Sequence, residues 1–272
     1  MTIKFANIPL FGHMDPFKMQ QSLDYSDGIQ MALTHLVLAE DKFYAKAYKA
    51  RKDFNKEFII LDNSLIEMGK KAMNMDLVLE AAGIIGADEV ILPDAFTRKK
   101  ESLQRTFAAL EKHYDAPYKF MAVAQGANVE EFLSCYATLL QEPRIDTIGI
   151  PKVTSTLKGS DGYSRNFILR ALLQNNLLQE TKALGKEIHL LGAWSTMDFL
   201  FEPDVAEYVR SVDSVLPNWE AMHGRDFRED PRHSQARTPG SADHRHHEIG
   251  SRFEKLEDNN IKRVKEWLSC LQ

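Results

Sequence analysis

Short apolar segments alternate with longer amphipathic segments along most of the chain. The apolar segments have the composition of buried strands, and the amphipathic ones repeat their apolar positions every three to four residues, as helices do. Strands are predicted at residues 4–8, 31–37, 57–61, 90–92, 120–124, 147–150, 188–191 and 212–216. Helices are predicted at residues 40–54, 76–85, 98–113, 129–141, 164–178 and 197–201. This alternation predicts a parallel sheet with helices packed outside it.

Eight strands is the number found in a (β/α)8 barrel, or TIM barrel, whose interior is filled by side chains. We therefore predict an α/β protein in which residues 1–272 form a single barrel domain. An open, doubly wound parallel sheet is the main alternative, because it uses the same alternation of elements.

The alternating pattern ends after Pro217. Residues 218–250 are rich in Arg, His, Asp, Pro and Gly and show no apolar period, so they predict a long irregular loop insertion. Residues 252–271 predict a C-terminal helix, because Ile261, Val264 and Leu268 share one face with Trp267. We expect that face to pack on the barrel.

The composition excludes several classes of protein. The chain has 272 residues, of which 44% are hydrophobic and 27% charged, as in an ordinary globular protein. It has neither the apolar run of a membrane span nor the apolar core of a secretory signal. Two cysteines, Cys135 and Cys270, exclude a disulfide framework and predict a reducing, cytoplasmic location. A net charge of −5 argues against a globally cationic nucleic-acid binder but leaves room for a local basic face.

Polar residues gather where the predicted strands end, which is where barrels of this kind carry their chemistry. Three of these residues are carboxylates, Asp62, Asp94 and Asp213, and one is the carboxamide Gln125. A carboxylate can bind the N1–H and 2-amino edge of a guanine, attack an anomeric carbon, or move a proton. Helix capping by Asp62 or Asp94 is the alternative interpretation of those two residues.

Short motifs at these strand ends resemble, in order, those of the guanine transglycosylases, the superfamily of tRNA-guanine transglycosylase. The segment VDSVLP at residues 212–217, followed by Gly224 and Arg225, is the clearest of them. The others are LDNS at 61–64, AD to PD at 87–94, VAQG at 123–126, IGI at 148–150 and IHLLG at 188–192. Each motif alone is weak, and their common order carries the resemblance.

The resemblance implies a role for each residue of the mouth. Asp213 would be the nucleophile on C1′ of the target guanosine and Asp62 the general acid/base. The base would be held by Asp94, Gln125, Gly126, Gly149, Ile150 and the backbone of Leu191 and Gly192, between the aliphatic Ile66 and Leu191. Guanine would leave, and a 7-deazaguanine such as preQ0 or preQ1 would enter through a covalent intermediate. The target base would have to leave its stack.

The chain also departs from the family pattern. It cannot build the family's zinc subdomain with two cysteines, and His233, His244, His246 and His247 fit a polar loop better than a metal site. We therefore expect no metal, and the absence of nucleotide-binding motifs predicts no cofactor. The short, zinc-less pattern is most similar to members that place 7-deazaguanines in DNA. The family's acidic residue for the 7-substituent is replaced near Thr154.

Basic residues beyond the strand ends are candidates for phosphate contacts: Lys70, Lys71, Arg98, Lys99, Lys100 and Arg225, joined by Arg228, Arg232 and Arg237 of the loop. Trp219 is a candidate for stacking on a base, with plain packing as the alternative. For the loop arginines a solvated face is the alternative, because Asp226, Glu229 and Asp230 lie among them.

Four other functions stay open at this stage. The same exchange could act on tRNA, or water could resolve the intermediate and make the protein a nucleoside or nucleotide N-glycosidase. A non-catalytic nucleic-acid-binding subunit is a third alternative and an unrelated barrel enzyme a fourth. The expected partners are nucleic acid and a 7-deazaguanine base, and no membrane. A second copy of the chain or a helper protein is also expected, because the family tends to form dimers.

Overall fold

The computed structural model describes residues 3–9, 16–40, 42–160, 164–227 and 253–269. Its strands are β1 (Lys4–Asn7), β2 (Ile29–Leu33), β3 (Phe58–Asp62), β4 (Glu89–Ile91), β5 (Lys119–Val123), β6 (Thr147–Pro151), β7 (Glu187–Leu191) and β8 (Ser211–Ser214). All hydrogen-bonded neighbours are parallel, in the order β1-β8-β7-β6-β5-β4-β3-β2. The strands form a nearly closed (β/α)8 barrel, which confirms the predicted fold.

The helices of the described residues pack around the outside of the strands. They are α1 (Pro16–Asp24), α2 (Thr34–Val37), α3 (Phe43–Ala50), α4 (Met75–Ile85), α5 (Lys99–Lys112), α6 (Val129–Leu140), α7 (Asn166–Gln174), α8 (Leu177–Ala183), α9 (Pro203–Ala206), α10 (Leu216–Met222) and α11 (Phe253–Ser269). A large apolar layer separates helices from strands. A second, smaller apolar cluster includes Ile60, Ile91 and Met121 and fills the barrel interior.

The loop before β2 closes the seam between β1 and β2. The Phe5 N–H donates to Asp27 Oδ2 over 3.1 Å, and the Asn7 N–H donates to Ser26 Oγ over 3.0 Å. The Asp27 N–H in turn donates to the Phe5 carbonyl over 2.8 Å. These bonds satisfy backbone groups of β1 that would otherwise need a neighbouring strand.

A buried ion-pair cluster closes the floor of the barrel, at the amino ends of the strands. Arg210 pairs with Glu89 over 2.7 Å and with Glu187 over 2.9 Å. Thr147 Oγ1 donates to the other oxygen of Glu89 over 2.5 Å. Because every charged member has a hydrogen-bonding partner, the interior tolerates this cluster. The floor is therefore closed, and access to the interior is from the other end.

Several helix predictions differ from the structure. The helix predicted at 164–178 is two helices, α7 and α8, because Asn176 adopts a left-handed backbone conformation with φ 60°. The loop predicted at residues 218–250 is wrong for its first residues, because Leu216–Met222 is helical. Pro217 fits the first turn of that helix, where its missing N–H costs nothing. Helices α1, α2 and α9 were not predicted, and α2 (Thr34–Val37) occupies the second half of the strand predicted at residues 31–37, because β2 ends at Leu33.

The C-terminal helix is confirmed over Phe253–Ser269, with Ile261, Val264 and Leu268 buried as predicted. The rest of the predicted loop insertion, from residue 228 to 250, lies outside the described residues.

Among the described residues, no helix is both long and apolar enough to cross a membrane.

Candidate active site

Two of the predicted carboxylates, Asp62 and Asp213, meet at the open end of the barrel. Asp62 is the last residue of β3, two positions after Ile60 of the interior cluster, so its side chain also points inward. Asp213 lies in β8 and is 3% exposed. Burial raises the pKa of Asp62, and the negative charges of Glu67 and Asp213 add to this effect. We call this end the mouth, defined by Asp62, Glu67, Asp94, Lys152 and Asp213.

The carboxylate of Asp213 is held through one of its two oxygens. Oδ1 accepts the Gly192 N–H over 2.9 Å and the His189 Nε2–H over 3.0 Å. Gly192 has φ +61°, a left-handed conformation that glycine adopts at little cost. In the part of the chain that the structure describes, no group donates to Oδ2 of Asp213. Two N–H donors thus stabilise the negative charge while the second oxygen remains available to a ligand.

His189 connects Asp213 to the floor of the barrel. An ionised carboxylate only accepts, so Nε2 carries the proton that it donates to Asp213. Nδ1 lies 2.7 Å from Ser211 Oγ, which accepts from Arg210 Nε over 3.0 Å. Burial lowers the pKa of His189, so the neutral ring can accept the Ser211 hydroxyl proton at Nδ1. The chain of bonds fixes the ring and thereby the orientation of Asp213.

The environment of Asp62 favours its protonated form. Its pKa is raised well above the ordinary value, first by burial and then by the negative charge of Glu67. The Ser64 N–H, which donates to Asp62 Oδ2 over 2.8 Å, opposes this shift. A carboxyl whose pKa is raised can serve as a general acid, while a second carboxyl of the same site serves as the nucleophile.

Asp94 and Gln125, the predicted base-binding pair, are in direct contact. Gln125 Nε2 donates to Asp94 Oδ2 over 2.6 Å, and Asn63 Nδ2 donates to Asp94 Oδ1 over 2.9 Å. Gln125 Oε1 accepts the Thr97 N–H over 3.0 Å. Burial raises the pKa of Asp94, and these hydrogen bonds oppose the shift. Asp94 is 2% exposed, so a base that binds its carboxylate must displace Gln125 or Asn63.

The remaining predicted base-binding residues occupy packing positions. A Cβ on Gly126 would lie 2.4 Å from the Phe132 backbone nitrogen, and one on Gly149 would lie 2.9 Å from Leu191 Cδ1. Glycine at these two positions therefore allows Phe132 and Leu191 to pack closely against the backbone, whether or not Gly126 and Gly149 also bind a base. Ile150 is fully buried in the apolar layer under the helices. Leu191 packs on the interior cluster, and Ile66 is half-buried in the turn after Asp62.

Sequence reasoning did not assign roles to two charged residues of the mouth, Lys152 and Glu67. Lys152 follows β6 directly, and its Nζ lies 5.8 Å from the centre of the Trp194 ring. Burial lowers the pKa of Lys152, although the charges of Glu67 and Asp213 oppose this. Desolvation raises the pKa of Glu67, and the charge of Asp213 adds to the effect. The strand-end position was a usable signal for Lys152, but none marked Glu67.

The predicted phosphate-binding residues after β3 and β4 lie at the mouth end of the barrel. Lys70 stands 4.6 Å over the Phe96 ring, and Lys71 and Lys100 are exposed. Lys99 donates to Ser134 Oγ over 2.6 Å, and Arg98 pairs with Glu101 over 2.6 Å. The residues from Arg98 to Lys100 also line an open groove beside Ala127 and Glu131.

Two of the candidate nucleic-acid contacts, Trp219 and Arg225, have partners within the protein. Trp219 is 7% exposed in α10, with its ring centre 4.5 Å from that of His223, so in this conformation it is packed rather than open to a base. Arg225 pairs with Glu220, with Nη2 and Oε1 2.7 Å apart. Arg228, Arg232, Arg237, His233, His244, His246 and His247 lie outside the described residues. Within the described ranges, no group of three or more His, Cys, Asp or Glu could hold a metal ion.

Comparison of the chain with protein-family models and with curated proteins finds no match, so fold and site geometry carry the functional argument.

Proposed function

We propose that this protein is a guanine transglycosylase that exchanges guanine in DNA for a 7-deazaguanine base, such as preQ0 or preQ1, through a covalent glycosyl intermediate on Asp213. One observation carries the proposal. Oδ1 of Asp213 is held by His189 and Gly192, its Oδ2 accepts from no described residue, and Asp62, whose pKa is raised by burial, ends β3 at the same end of the barrel. The resemblance at the strand ends supplies the identity of the base.

The two carboxyls can perform both halves of the exchange. Asp213 Oδ2 attacks C1′ of the extruded 2′-deoxyguanosine, and the C1′–N9 bond breaks with its electron pair passing to the base. Asp62 donates a proton to the departing guanine and becomes a carboxylate. The incoming base then loses its N9 proton to Asp62 as N9 attacks C1′ and the Asp213 ester bond breaks. Two displacements at C1′ retain its configuration.

Two features support a nucleic-acid substrate, and the first of them favours DNA over tRNA. The chain has too few cysteines for the zinc subdomain of the tRNA enzymes. Lysines and arginines after β3 and β4 lie at the mouth end, where phosphates of a bound strand would approach. With DNA as substrate, we place the activity in the cytoplasm, which is the host cytoplasm if a phage encodes the chain. The chain has all three carboxylates, Asp62, Asp94 and Asp213, and this argues against a non-catalytic nucleic-acid-binding subunit.

The test is incorporation of radiolabelled guanine, or of 7-cyano- and 7-aminomethyl-7-deazaguanine, into duplex DNA and unmodified tRNA in parallel. Label in DNA, lost in Asp213→Asn but kept in Asp115→Asn, is the expected result. Asp115 is an exposed aspartate after α5, at the floor end, which makes it a matched control. Label in tRNA alone would overturn the DNA assignment. Release of free guanine without incorporation would instead establish an N-glycosidase.

A further inference from the structure

The turn that follows β3 presents Met68 at its tip. The Met68 N–H donates to the Ser64 carbonyl over 3.0 Å, and the Lys70 N–H donates to the Leu65 carbonyl over 2.7 Å. The Gly69 N–H donates to the Ile66 carbonyl over 3.1 Å. Three backbone hydrogen bonds within seven residues, 64 to 70, make a compact turn. We call residues 64–70 the β3 turn.

The base of the β3 turn is fixed to the candidate active site. Leu65 is buried, and its N–H donates to Asn63 Oδ1 over 3.0 Å. Ser64 donates its N–H to Asp62 and has its Oγ 2.9 Å from His35 Nδ1. The tip is therefore held at a set position relative to Asp62, because the anchoring residues are Asp62 and its immediate neighbours.

The tip stands at the rim of the mouth. Glu67, which precedes Met68, interacts electrostatically with two other residues of the mouth, Lys152 and Asp213. Met68 itself is 49% exposed. Other large exposed apolar side chains of the described residues include Leu184 after α8, at the floor end, and Met197 after β7, also at the mouth end. Met68 is therefore an exposed apolar side chain on a turn that backbone hydrogen bonds hold in place.

Positive charge follows the exposed methionine. Lys70 and Lys71 are both exposed, and Lys70 is held over the Phe96 ring at 4.6 Å. An apolar tip followed by two lysines matches a DNA duplex, in which phosphates flank an apolar base stack. The lysines can neutralise phosphates while the thioether contacts bases.

We propose that Met68 is a wedge that enters the base stack of duplex DNA and fills the space left by the extruded 2′-deoxyguanosine. The inference rests on the proposed function, since that chemistry requires the target base to leave the duplex. Apolar side chains inserted between base steps are a general means of stabilising an opened stack. Met68 acts on the stack and not on the reacting atoms, so it is a positioning residue.

The experiment compares base exchange by wild type and Met68→Ala on three DNA substrates. These are a fully paired duplex, the same duplex with the target guanine opposite an abasic site, and the single strand. Met68→Ala is expected to lower kcat/KM at least tenfold on the paired duplex and less than threefold on the other two. Met68→Leu is expected to keep kcat/KM on the paired duplex near the wild-type value. The control is Leu184→Ala, at a residue with the same 49% exposure, and it is expected to match wild type on all three substrates. Equal losses on all three substrates, or none on the paired duplex, would overturn the wedge.

A binding measurement separates failure of the wedge from failure of the proposed function. The duplex carries 2-aminopurine beside the target guanine, and its fluorescence reports unstacking without any chemistry. Wild type and Asp213→Asn are expected to increase the fluorescence, and Met68→Ala is not. If wild type exchanges no base on any polymer, the proposed function fails while this signal still tests the wedge. If all three proteins give the same signal, the wedge is wrong.

Discussion

His189 donates its Nε2 proton to Oδ1 of Asp213 over 3.0 Å inside the barrel. The contact is the last of a series that begins at Arg210 on the floor and passes through the hydroxyl of Ser211. Since each group is buried and hydrogen-bonded, the series has little freedom to rearrange. Its effect at the mouth is to hold one oxygen of Asp213 and to leave the other for a ligand.

Replacing His189 tests this arrangement directly. His189→Leu removes the donor to Asp213, and a hydrogen bond to a charged group contributes about 1.5–3 kcal/mol. We therefore expect kcat for base exchange to fall roughly 10- to 150-fold, with little change in KM. His189→Gln keeps an N–H donor at a similar reach and should recover most of the rate. Steady-state kinetics of wild type, His189→Leu and His189→Gln tests this prediction. An equal loss of kcat in both variants would contradict a positioning role for His189.

Asp213→Asn is expected to abolish base exchange while the protein stays folded. The amide oxygen can still accept from His189 and Gly192, so the local structure is preserved. An amide is a poor nucleophile towards C1′, so the rate should fall by at least about 1,000-fold, as for loss of other covalent nucleophiles. Thermal melting controls for folding. An unchanged rate with normal melting would remove Asp213 as the nucleophile.

The alternation of strands and helices predicted the barrel and the strand ends, and from these the sequence identified Asp62 and Asp213. It could not identify His189, because the link from His189 to Asp213 depends on how β7 and β8 are aligned. The structure pairs His189 with Ser211, a register that no local pattern encodes. Glu67 and Met68 were missed for a related reason, since a turn fixed by backbone hydrogen bonds has no periodic signature.

The acid role of Asp62 predicts the direction of the pH dependence. Its pKa is raised, so the protonated form needed to assist guanine departure persists to higher pH than for an ordinary aspartate. The exchange rate should therefore fall as pH increases through that raised pKa. Asp62→Asn should lower the rate and remove this alkaline limb. Profiles of kcat/KM against pH for both proteins test it, and an unchanged limb in Asp62→Asn would assign the titration to another group.

The buried Glu257 predicts that stability depends on pH. Its Oε1 accepts from Ser22 Oγ over 2.6 Å where α11 meets α1, and burial raises its pKa from 4.5 to about 7. The folded state binds this proton more tightly than the unfolded state, so the stability present below pH 4.5 is lost as pH rises through about 7. The full loss is about 3 kcal/mol, since each pKa unit is about 1.4 kcal/mol.

Glu257→Gln stays neutral, so its free energy of unfolding should exceed that of wild type at pH 8 and approach it near pH 5. Urea unfolding at both values tests this, with the exposed Glu266→Gln on the same helix as control. A stability difference that is the same at both pH values would show that Glu257 does not titrate in this range.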